Sequence, residues 1–313
     1  MLRRQDVGHR VVVRRIVGIR NDRPLYSDAL GELIEVSETD LTLATASGPL
    51  RVPLDQVHRA KRVPPARRPN AAHVVALELA SHETWPAPVQ DRLGEWLLRA
   101  AEGWSGRGNS ALPIGDPDRP LEAAIDAVQR WYADRDMPAL VNVPLPLAAP
   151  VNAALDARGW GARPLTLFQT APLPAVPARV AVELATAPSD GWWDIVGARK
   201  GGIPAAARHI LTAVPQVRFA HVYEDRAGEL LAIGRGAVTA DRRWLALSVI
   251  EVVPEARRRG LAQQVVGALA NWAGELGVPR AFLQVEERNT AAVALYAKLG
   301  FTTHHSYLTR TAP

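Results

Sequence analysis

An internal repeat constrains the fold of this 313-residue chain more than any other feature of its sequence. Residues 113–160 align with residues 254–301 without a gap, at one constant shift of 141 positions (113 to 254). Each stretch carries an apolar-periodic helix, a strand that follows a proline, and a short helix that ends in glycine and an aromatic residue. The matched pairs are Pro113 and Pro254, Ala127 and Ala268, Trp131 and Trp272, Pro138 and Pro279, Gly159 and Gly300, and Trp160 and Phe301. The repeat predicts two copies of one α/β module, at residues 72–177 and 178–313.

The first 62 residues follow a different pattern. Short runs rich in Val, Leu and Thr are separated by turn signals such as Ser47-Gly48-Pro49. Closely spaced short strands are typical of small antiparallel barrels, so residues 1–62 predict a small SH3-like β-barrel. The basic, proline-bearing residues 63–71 predict a linker.

The composition excludes several classes of protein. Hydrophobic residues make up 48% of the chain, which is enough for a folded core. No apolar run reaches the about 18 residues of a membrane helix, and the charged first residues predict no cleaved signal peptide, so we expect a cytoplasmic protein without a membrane partner. Because the chain has no cysteine, disulfides, thiolate zinc sites and cysteine nucleophiles are excluded. No metal-ligand spacing is found, and we expect no metal.

The formal net charge of +5 is compatible with a nucleic-acid partner. The basic residues are mostly arginines that are spread along the chain and do not form one stripe, a usage that also results from a GC-rich genome. We therefore expect no nucleic-acid partner.

The second copy contains a strand, an arginine-glycine turn and a helix in succession. The apolar strand 244–253 leads into Arg257-Arg258-Arg259-Gly260, and a periodic helix follows from Leu261. The first N–H groups of a helix have no partner within the helix, and the macrodipole makes this end positive. Gly260 allows a phosphate to approach the backbone, and the arginines add charged donors. The segment predicts an anion site, and the alternative is an ordinary basic loop.

A second motif, Asn289–Phe301 with the sequence NTAAVALYAKLGF, follows the next strand. It matches N-x-x-A-x-x-L-Y-x-x-x-G-F, while Arg257, Gly260 and Ala262 match R/Q-x-x-G-x-G/A. In this order the two motifs resemble the signatures of the GNAT superfamily of N-acetyltransferases. The predicted fold class is α/β (α+β), with tandem GNAT-like modules after the small barrel.

The resemblance implies acetyl-CoA as co-substrate, bound by the second copy. Main-chain N–H groups between Arg258 and Gln263 would hold the diphosphate, and the backbone at Val252 and Val253 would bond the pantetheine amides. Asn289 would contact the pantetheine arm. The implied cofactor-binding residues are Val252, Val253, Arg257, Arg258, Arg259, Gly260, Leu261, Ala262, Gln263 and Asn289.

The resemblance also implies two catalytic roles. Tyr296 would protonate the departing thiolate, which suits a phenol with an ordinary pKa near 10. Its alternative is a packing tyrosine. The base that accepts the amine proton would be Glu251, with Glu286 as second candidate, because Ala246 occupies the position at which many family members have glutamate. A solvated surface residue is the alternative for either glutamate.

The first copy lacks the residues that carry this chemistry. At the same shift, Asp116-Pro117-Asp118-Arg119 replaces the arginine-glycine turn, and Leu155 replaces Tyr296. The aspartates would repel a diphosphate, so this copy is predicted to be degenerate and to shape the acceptor pocket. Its contribution would come from Arg107, Asn109 and Ser110, for which local turn chemistry is the alternative. Glu286 is also an acceptor-pocket candidate. Further acceptor-side candidates on the last strand are His304, His305 and Tyr307, and at most one of the two adjacent histidines can line the pocket, because neighbouring residues of a strand point to opposite faces.

The GNAT fold alone does not identify the acceptor amine. The order of barrel, degenerate module and live module resembles a family of high-GC bacterial proteins that are described as stand-alone N-acetylglutamate synthases or as histone-acetyltransferase-like. We expect a small-molecule amine, an amino acid, with the α-amino group of glutamate first, as at the start of arginine biosynthesis. Protein lysine acetylation is the alternative, and a non-catalytic acetyl-CoA sensor is a second one. A homo-oligomer is left open.

Overall fold

The computed structural model describes residues 2–20, 23–45, 48–63, 69–224 and 228–313. It contains two compact units, Met1–Arg68 and Pro69–Pro313. Ser47, in a predicted turn, and residues 64–68 of the predicted linker lie outside the described residues. None of the described helices is long and apolar enough to cross a membrane.

The N-terminal unit is an antiparallel sheet of five strands in the order β4-β3-β2-β1-β5. The strands are β1 (Arg10–Arg20), β2 (Arg23–Val36), β3 (Asp40–Thr45), β4 (Gly48–Pro53) and β5 (Val57–Arg62). Alternate apolar residues point to one face, as the period of a strand requires, and form a core that includes Val11, Val13, Leu33, Leu41, Leu43 and Val52. Among the described residues β4 and β5 are not paired, so the sheet is open there and the SH3-like barrel stays a prediction.

The second unit contains seven helices and eleven strands among its described residues. The helices are α1 (Ala71–Glu83), α2 (Leu121–Ala133), α3 (Ala149–Ala157), α4 (Asp190–Lys200), α5 (Ala205–Thr212), α6 (Leu261–Glu275) and α7 (Thr290–Lys298). The strands are β6 (Val89–Leu93), β7 (Trp96–Ala100), β8 (Leu140–Leu145), β9 (Gly161–Ala162), β10 (Thr166–Pro172), β11 (Glu183–Ala185), β12 (Val217–Tyr223), β13 (Leu230–Val238), β14 (Trp244–Val252), β15 (Arg280–Glu286) and β16 (Thr302–Thr311).

Both copies of the repeat contribute to one nine-stranded sheet. Its order is β11-β12-β13-β14-β15-β10-β16-β8, with β9 beside β16. Only β14 and β15 run parallel among the described pairs, and β6 and β7 form a separate hairpin. The apolar stripe of α6, with Val265, Val266 and Leu269, packs on the sheet against Leu245 and Leu247.

The structure reproduces the sequence repeat. Helix α3 maps onto α7 residue for residue at the shift of 141, and β8 maps onto β15. The last strands of the copies, β10 and β16, lie side by side and antiparallel in the middle of the run β15-β10-β16-β8. Each last strand therefore lies between two strands of the other copy, around a pseudo-two-fold axis. This arrangement confirms the predicted α/β fold of tandem modules and shows that the two copies share one sheet.

The copies differ most where the second has β14. The corresponding residues of the first copy, 103–111, form a loop with a short 3₁₀ turn at Arg107–Asn109. Only one bridge there, between Ala111 and Val141, retains the parallel pairing. The loop faces the second copy and contributes to the site below.

Candidate functional site

Strands β14 and β15 separate and open a cleft in the sheet. Their parallel pairing runs from Trp244 to Leu247 on β14 and stops there. Val249 has a φ of 54°, an outlier for a β-branched residue. The register with β13 also shifts at this point, so that β14 contains one extra residue. A bulge of this kind bends the strand, and here it directs the end of β14 away from β15.

Beyond β14 the chain forms an open helix N-terminus. Gly260 has a φ of 80° and is the N-cap residue of α6, with no side-chain cap. A Cβ at this position would meet no atom within 4 Å, so the surface in front of it is clear. In the described part of the chain, no acceptor contacts the N–H groups of Arg259, Gly260, Leu261 and Ala262. Free donors, helix dipole and clear space together fit a diphosphate.

Several of the expected cofactor-binding groups are already engaged. The N–H of Gln263 donates to the Gly260 carbonyl at 3.1 Å. The N–H of Val253 donates to the Leu231 carbonyl, and the Val253 carbonyl accepts from Ala256. The N–H groups of Gln263 and Val253 are therefore not free to donate to a ligand, in contrast to the expectation from the sequence. Val252 differs, because its carbonyl is on the open side and accepts only a weak bond from Arg257 Nε at 3.3 Å.

The cleft continues into a cavity of about 590 Å³. The second copy supplies most of its walls, with residues 247–251 of β14, residues 283–286 of β15, and Arg288, Asn289, Ala292, Tyr296, Tyr307 and Thr309. The opposite wall comes from the first copy, with Trp85, Trp104, Ser105, Gly106, Arg107, Arg163, Pro164 and Thr166, and α4 adds Val196 and Arg199. The cavity thus lies between the two copies within one compact unit.

Tyr296 lies in the cavity wall at the buried face of α7. Its side chain is 8% exposed and packs edge-to-face against Phe301, with ring centroids 5.9 Å apart. Burial raises the pKa of the Tyr296 phenol to about 12. The phenol therefore keeps its proton at neutral pH and can donate it.

The two candidate bases differ in their surroundings. Glu251 forms an ion pair with Arg199, which approaches from the end of α4. Glu286 is about half exposed and pairs with its neighbour Arg288 at 2.6 Å. Both glutamates line the cavity, as does Asn289. The carboxamide oxygen of Asn289 caps α7 by accepting the Ala292 N–H, which leaves its amide donors for a ligand.

Arg107 extends from the first copy into the cavity. Its guanidinium lies 4.5 Å above the Trp85 ring and donates to Oε1 of Gln284 on β15. The Gln284 amide is held in turn by Ser81 Oγ at 2.7 Å. The Tyr307 hydroxyl donates to the same Gln284 oxygen at 3.2 Å.

The structure does not bring Asn109 and Ser110 to the cavity. The Asn109 oxygen accepts the N–H groups of Ala101 and Gly103, so it folds the loop that presents Arg107. Ser110 accepts from the buried Arg99 at 3.0 Å. Their polar groups are used inside the first copy, which is the turn chemistry considered from the sequence.

The histidines of β16 are also outside the cavity walls. His305 is buried and bonds Glu78 at 2.9 Å, and His304 contacts His305. Conversely, four residues that line the cavity were not predicted from the sequence, because none of them belongs to a motif: Arg199, Ser248, Trp85 and Trp104. The shift of 141 is the signal that could have indicated the loop around Trp104, because this loop replaces β14 in the first copy.

The first copy has its own carboxylate at the position of the anion site. Asp116 corresponds to Arg257, and its N–H donates to the Glu95 carboxylate at 2.6 Å. The nearby hollow of about 440 Å³ is lined mainly by Trp96, Pro113, Pro117, Leu121, Leu147 and Val151. Among the described residues, no group of three or more His, Asp or Glu is arranged to hold a metal ion.

Sequence similarity to known proteins identifies the family of this chain. The family model described as "Probable histone acetyltransferase Rv0428c C-terminal" matches residues 71–309. The probable histone acetyltransferase Rv0428c of Mycobacterium tuberculosis is 30% identical over 310 residues, which cover 96% of this chain and 93% of that protein. The uncharacterized N-acetyltransferase YobR of Bacillus subtilis is 29% identical over 246 residues, 74% of this chain and 96% of YobR.

A solved structure shows the same fold. The GCN5-related N-acetyltransferase from Kribbella flavida superimposes with a TM-score of 0.59 and 16% identity, covering 79% of this chain and 97% of that one. The predictions of a GNAT acetyltransferase and of acetyl-CoA as co-substrate are confirmed at this level. The chain therefore belongs to the family of the Rv0428c C-terminal region, within the GNAT N-acetyltransferases that take acetyl-CoA as co-substrate.

Proposed function

We propose that this protein transfers the acetyl group of acetyl-CoA to the primary amine of a small molecule, an amino acid. One observation carries the proposal: a single cavity joins the separated edge of β14, next to the open N-terminus of α6, to Tyr296 and Glu251. A cofactor arm that follows β14 would bring its thioester to the cavity, where an acid and a base are both present.

The second copy would hold the cofactor by its backbone. The free N–H groups around Gly260 would bind the diphosphate, helped by the side chains of Arg258 and Arg259. The open side of Val252 would pair with the pantetheine amides as a neighbouring strand would. The amide donors of Asn289 would contact the same arm.

The chemistry would be direct transfer within this cavity. The neutral amine attacks the thioester carbonyl carbon, a C–N bond forms, and the C–S bond breaks. Glu251 accepts the proton that the amine loses, and the ion pair with Arg199 favours the ionised carboxylate that this role requires. Tyr296 donates its proton to the departing thiolate.

The walls of the cavity favour a small acceptor. The indole rings of Trp85 and Trp104 stack with centroids 5.7 Å apart and close the side that faces the first copy. The remaining volume must also hold the acetyl end of the cofactor. We therefore propose an amino acid as the acceptor class, with the α-amino group of glutamate as the first to test.

The description of the matching family favours one alternative, the acetylation of protein lysine. A screen of CoA release with free amino acids and with a basic histone-tail peptide separates the two. Release with glutamate or another amino acid supports the proposal, and release with the peptide alone supports protein acetylation. If acetyl-CoA binds without turnover in either arm, both acceptor classes are rejected and the non-catalytic sensor becomes the favoured alternative. The Tyr296→Phe variant identifies background hydrolysis in each arm.

A further inference from the structure

We propose that the end of the cavity nearest the first copy is an anion subsite that binds a carboxylate of the acceptor. Arg107 is its central residue, and Gln284 and Tyr307 complete it. The inference rests on the proposed function and deepens it, because it defines the acceptor as an amine that also carries a carboxylate.

Arg107 is held in one position at this end of the cavity. Its loop replaces β14 in the first copy and is held in shape by Asn109. The guanidinium is clamped between the Trp85 face and the Gln284 amide oxygen. Its Nε is buried and has no hydrogen-bond partner among the described residues. Because a buried donor without a partner is costly, the position is suited to a ligand oxygen.

Gln284 presents a fixed and uncharged amide oxygen to Arg107. Ser81 fixes its amide so that Oε1 faces Arg107 and the Tyr307 hydroxyl. An amide oxygen accepts hydrogen bonds but carries no charge, so Gln284 does not neutralise the positive charge of Arg107. A glutamate at this position would neutralise it with almost no change in shape. The chain therefore keeps a net positive charge at this wall.

Neighbouring arginines add to this charge. Arg99 and Arg235 are both fully buried, and within the described part of the chain their hydrogen bonds reach only carbonyl and hydroxyl oxygens. Burial lowers the pKa of Arg235 to about 9, so it is still charged at neutral pH. The buried carboxylate of this region, Glu78, bonds His305. Several buried cations near one carboxylate make an anionic ligand favourable here.

The subsite predicts a clear order of acceptors. Glutamate, glutamine and isoglutamine have the same size, and the two amides each lack one of the two carboxylates. We expect kcat/KM for one of the two amides to be on the order of 10- to 100-fold below that for glutamate, the usual effect of one charged hydrogen bond. In Arg107→Met this difference should disappear, and in Gln284→Glu glutamate should lose the same factor. Arg243→Met, which removes an exposed arginine, is the matched control.

Binding of glutarate, which has two carboxylates and no amine, provides a second measurement that needs no turnover. Titration calorimetry on CoA-loaded protein should show binding to the wild type and to Arg243→Met, and none to Arg107→Met or Gln284→Glu. CoA itself should bind all four proteins alike, which shows that the variants are folded.

The possible results distinguish failure of the anion subsite from failure of the proposed acetyltransferase function. Acetylation of all three amines at similar rates would overturn the anion subsite and leave the acetyltransferase proposal intact. Glutarate binding that depends on Arg107, without acetylation of glutamate, would support the subsite and reject glutamate as the acceptor. Equal glutarate binding to the wild type and Arg107→Met, or none to the wild type, would overturn the subsite whatever the acceptor.

Discussion

The backbone N–H of Asp116 donates to the carboxylate of Glu95 at 2.6 Å, at the position where the second copy has Arg257. The two copies differ two residues further on. In the second copy the N–H of Arg259 is free for a ligand, whereas the N–H of its counterpart Asp118 donates to the carboxylate of Asp116 at 2.8 Å. From this contrast we expect a single cofactor site per chain.

A pair of matched substitutions tests the asymmetry. Gly260→Asp combined with Arg258→Glu should abolish CoA binding, because Asp is strained at a φ of 80° and both changes place negative charge beside the diphosphate. Arg119→Asp, at the position that corresponds to Gly260, should leave the dissociation constant unchanged. Titration calorimetry with CoA measures both. Weakened binding in Arg119→Asp would contradict the asymmetry.

Removal of the proposed acid should slow the chemical step without affecting cofactor binding. For Tyr296→Phe we expect kcat to fall by roughly 100-fold or more and the dissociation constant of acetyl-CoA to stay the same. Steady-state kinetics and calorimetry on the same preparation provide the two values. A variant with wild-type kcat would leave Tyr296 as a packing residue only.

The proposed base should control the acidic side of the pH profile. Glu251→Gln should lower kcat, and the remaining activity should no longer depend on ionisation of this carboxylate. Arg199→Met should lower kcat/KM and change its acidic limb, because it removes the ion pair that holds the Glu251 carboxylate in the cavity wall. Glu286→Gln is the matched control, and if it alone removes the limb, the base is Glu286.

Burial of Tyr296 also predicts a dependence of stability on alkaline pH. Its pKa is raised from about 10 to about 12, so folding favours the protonated form, and this contribution is complete below pH 10 and is lost as the pH rises towards 12. Between pH 10 and pH 12 the free energy of unfolding should fall by roughly 2–3 kcal/mol more in the wild type than in Tyr296→Phe. Urea unfolding at a series of pH values measures the difference. Parallel curves for the two proteins would contradict it.

The shared sheet makes the second copy dependent on the first. Strand β10 pairs with β15 from Thr166 to Pro172 and also with β16, so a fragment of residues 178–313 would have an unpaired gap in the middle of its sheet. We expect this fragment not to unfold cooperatively, whereas residues 69–313, which form a compact unit, should do so. Circular dichroism during heating distinguishes the two. Cooperative unfolding of the short fragment would show that β10 is dispensable.

The tandem fold and the open N-terminus of α6 could be predicted from the sequence, whereas the strand exchange and the contact of Arg199 could not. The repeat predicted the tandem fold because helices such as α3 and α7 keep identical spacing, and the motif around Gly260 predicted the open helix end because local backbone chemistry dictates it. The exchange of β10 and β16 was not predictable, because a repeat does not show which strand pairs with which. Arg199 was missed for a similar reason: its contact with Glu251 joins residues that are far apart in the chain.

The roles within the first copy were the hardest to predict. Arg107, Asn109 and Ser110 are close together in sequence, and only the structure separates the residue that enters the cavity from the two that stabilise its loop. Val253 and Gln263 show the same limit, because their N–H groups lie in the expected segment but are bonded within the protein.

The stoichiometry of acetyl-CoA binding to the full chain tests the central claim most directly. Titration calorimetry should show one binding site per chain, lost in the Gly260→Asp variant with Arg258→Glu. The absence of any binding heat from well-folded protein, or a second site that survives this variant, would contradict the assignment of the cofactor cradle to the residues around Gly260.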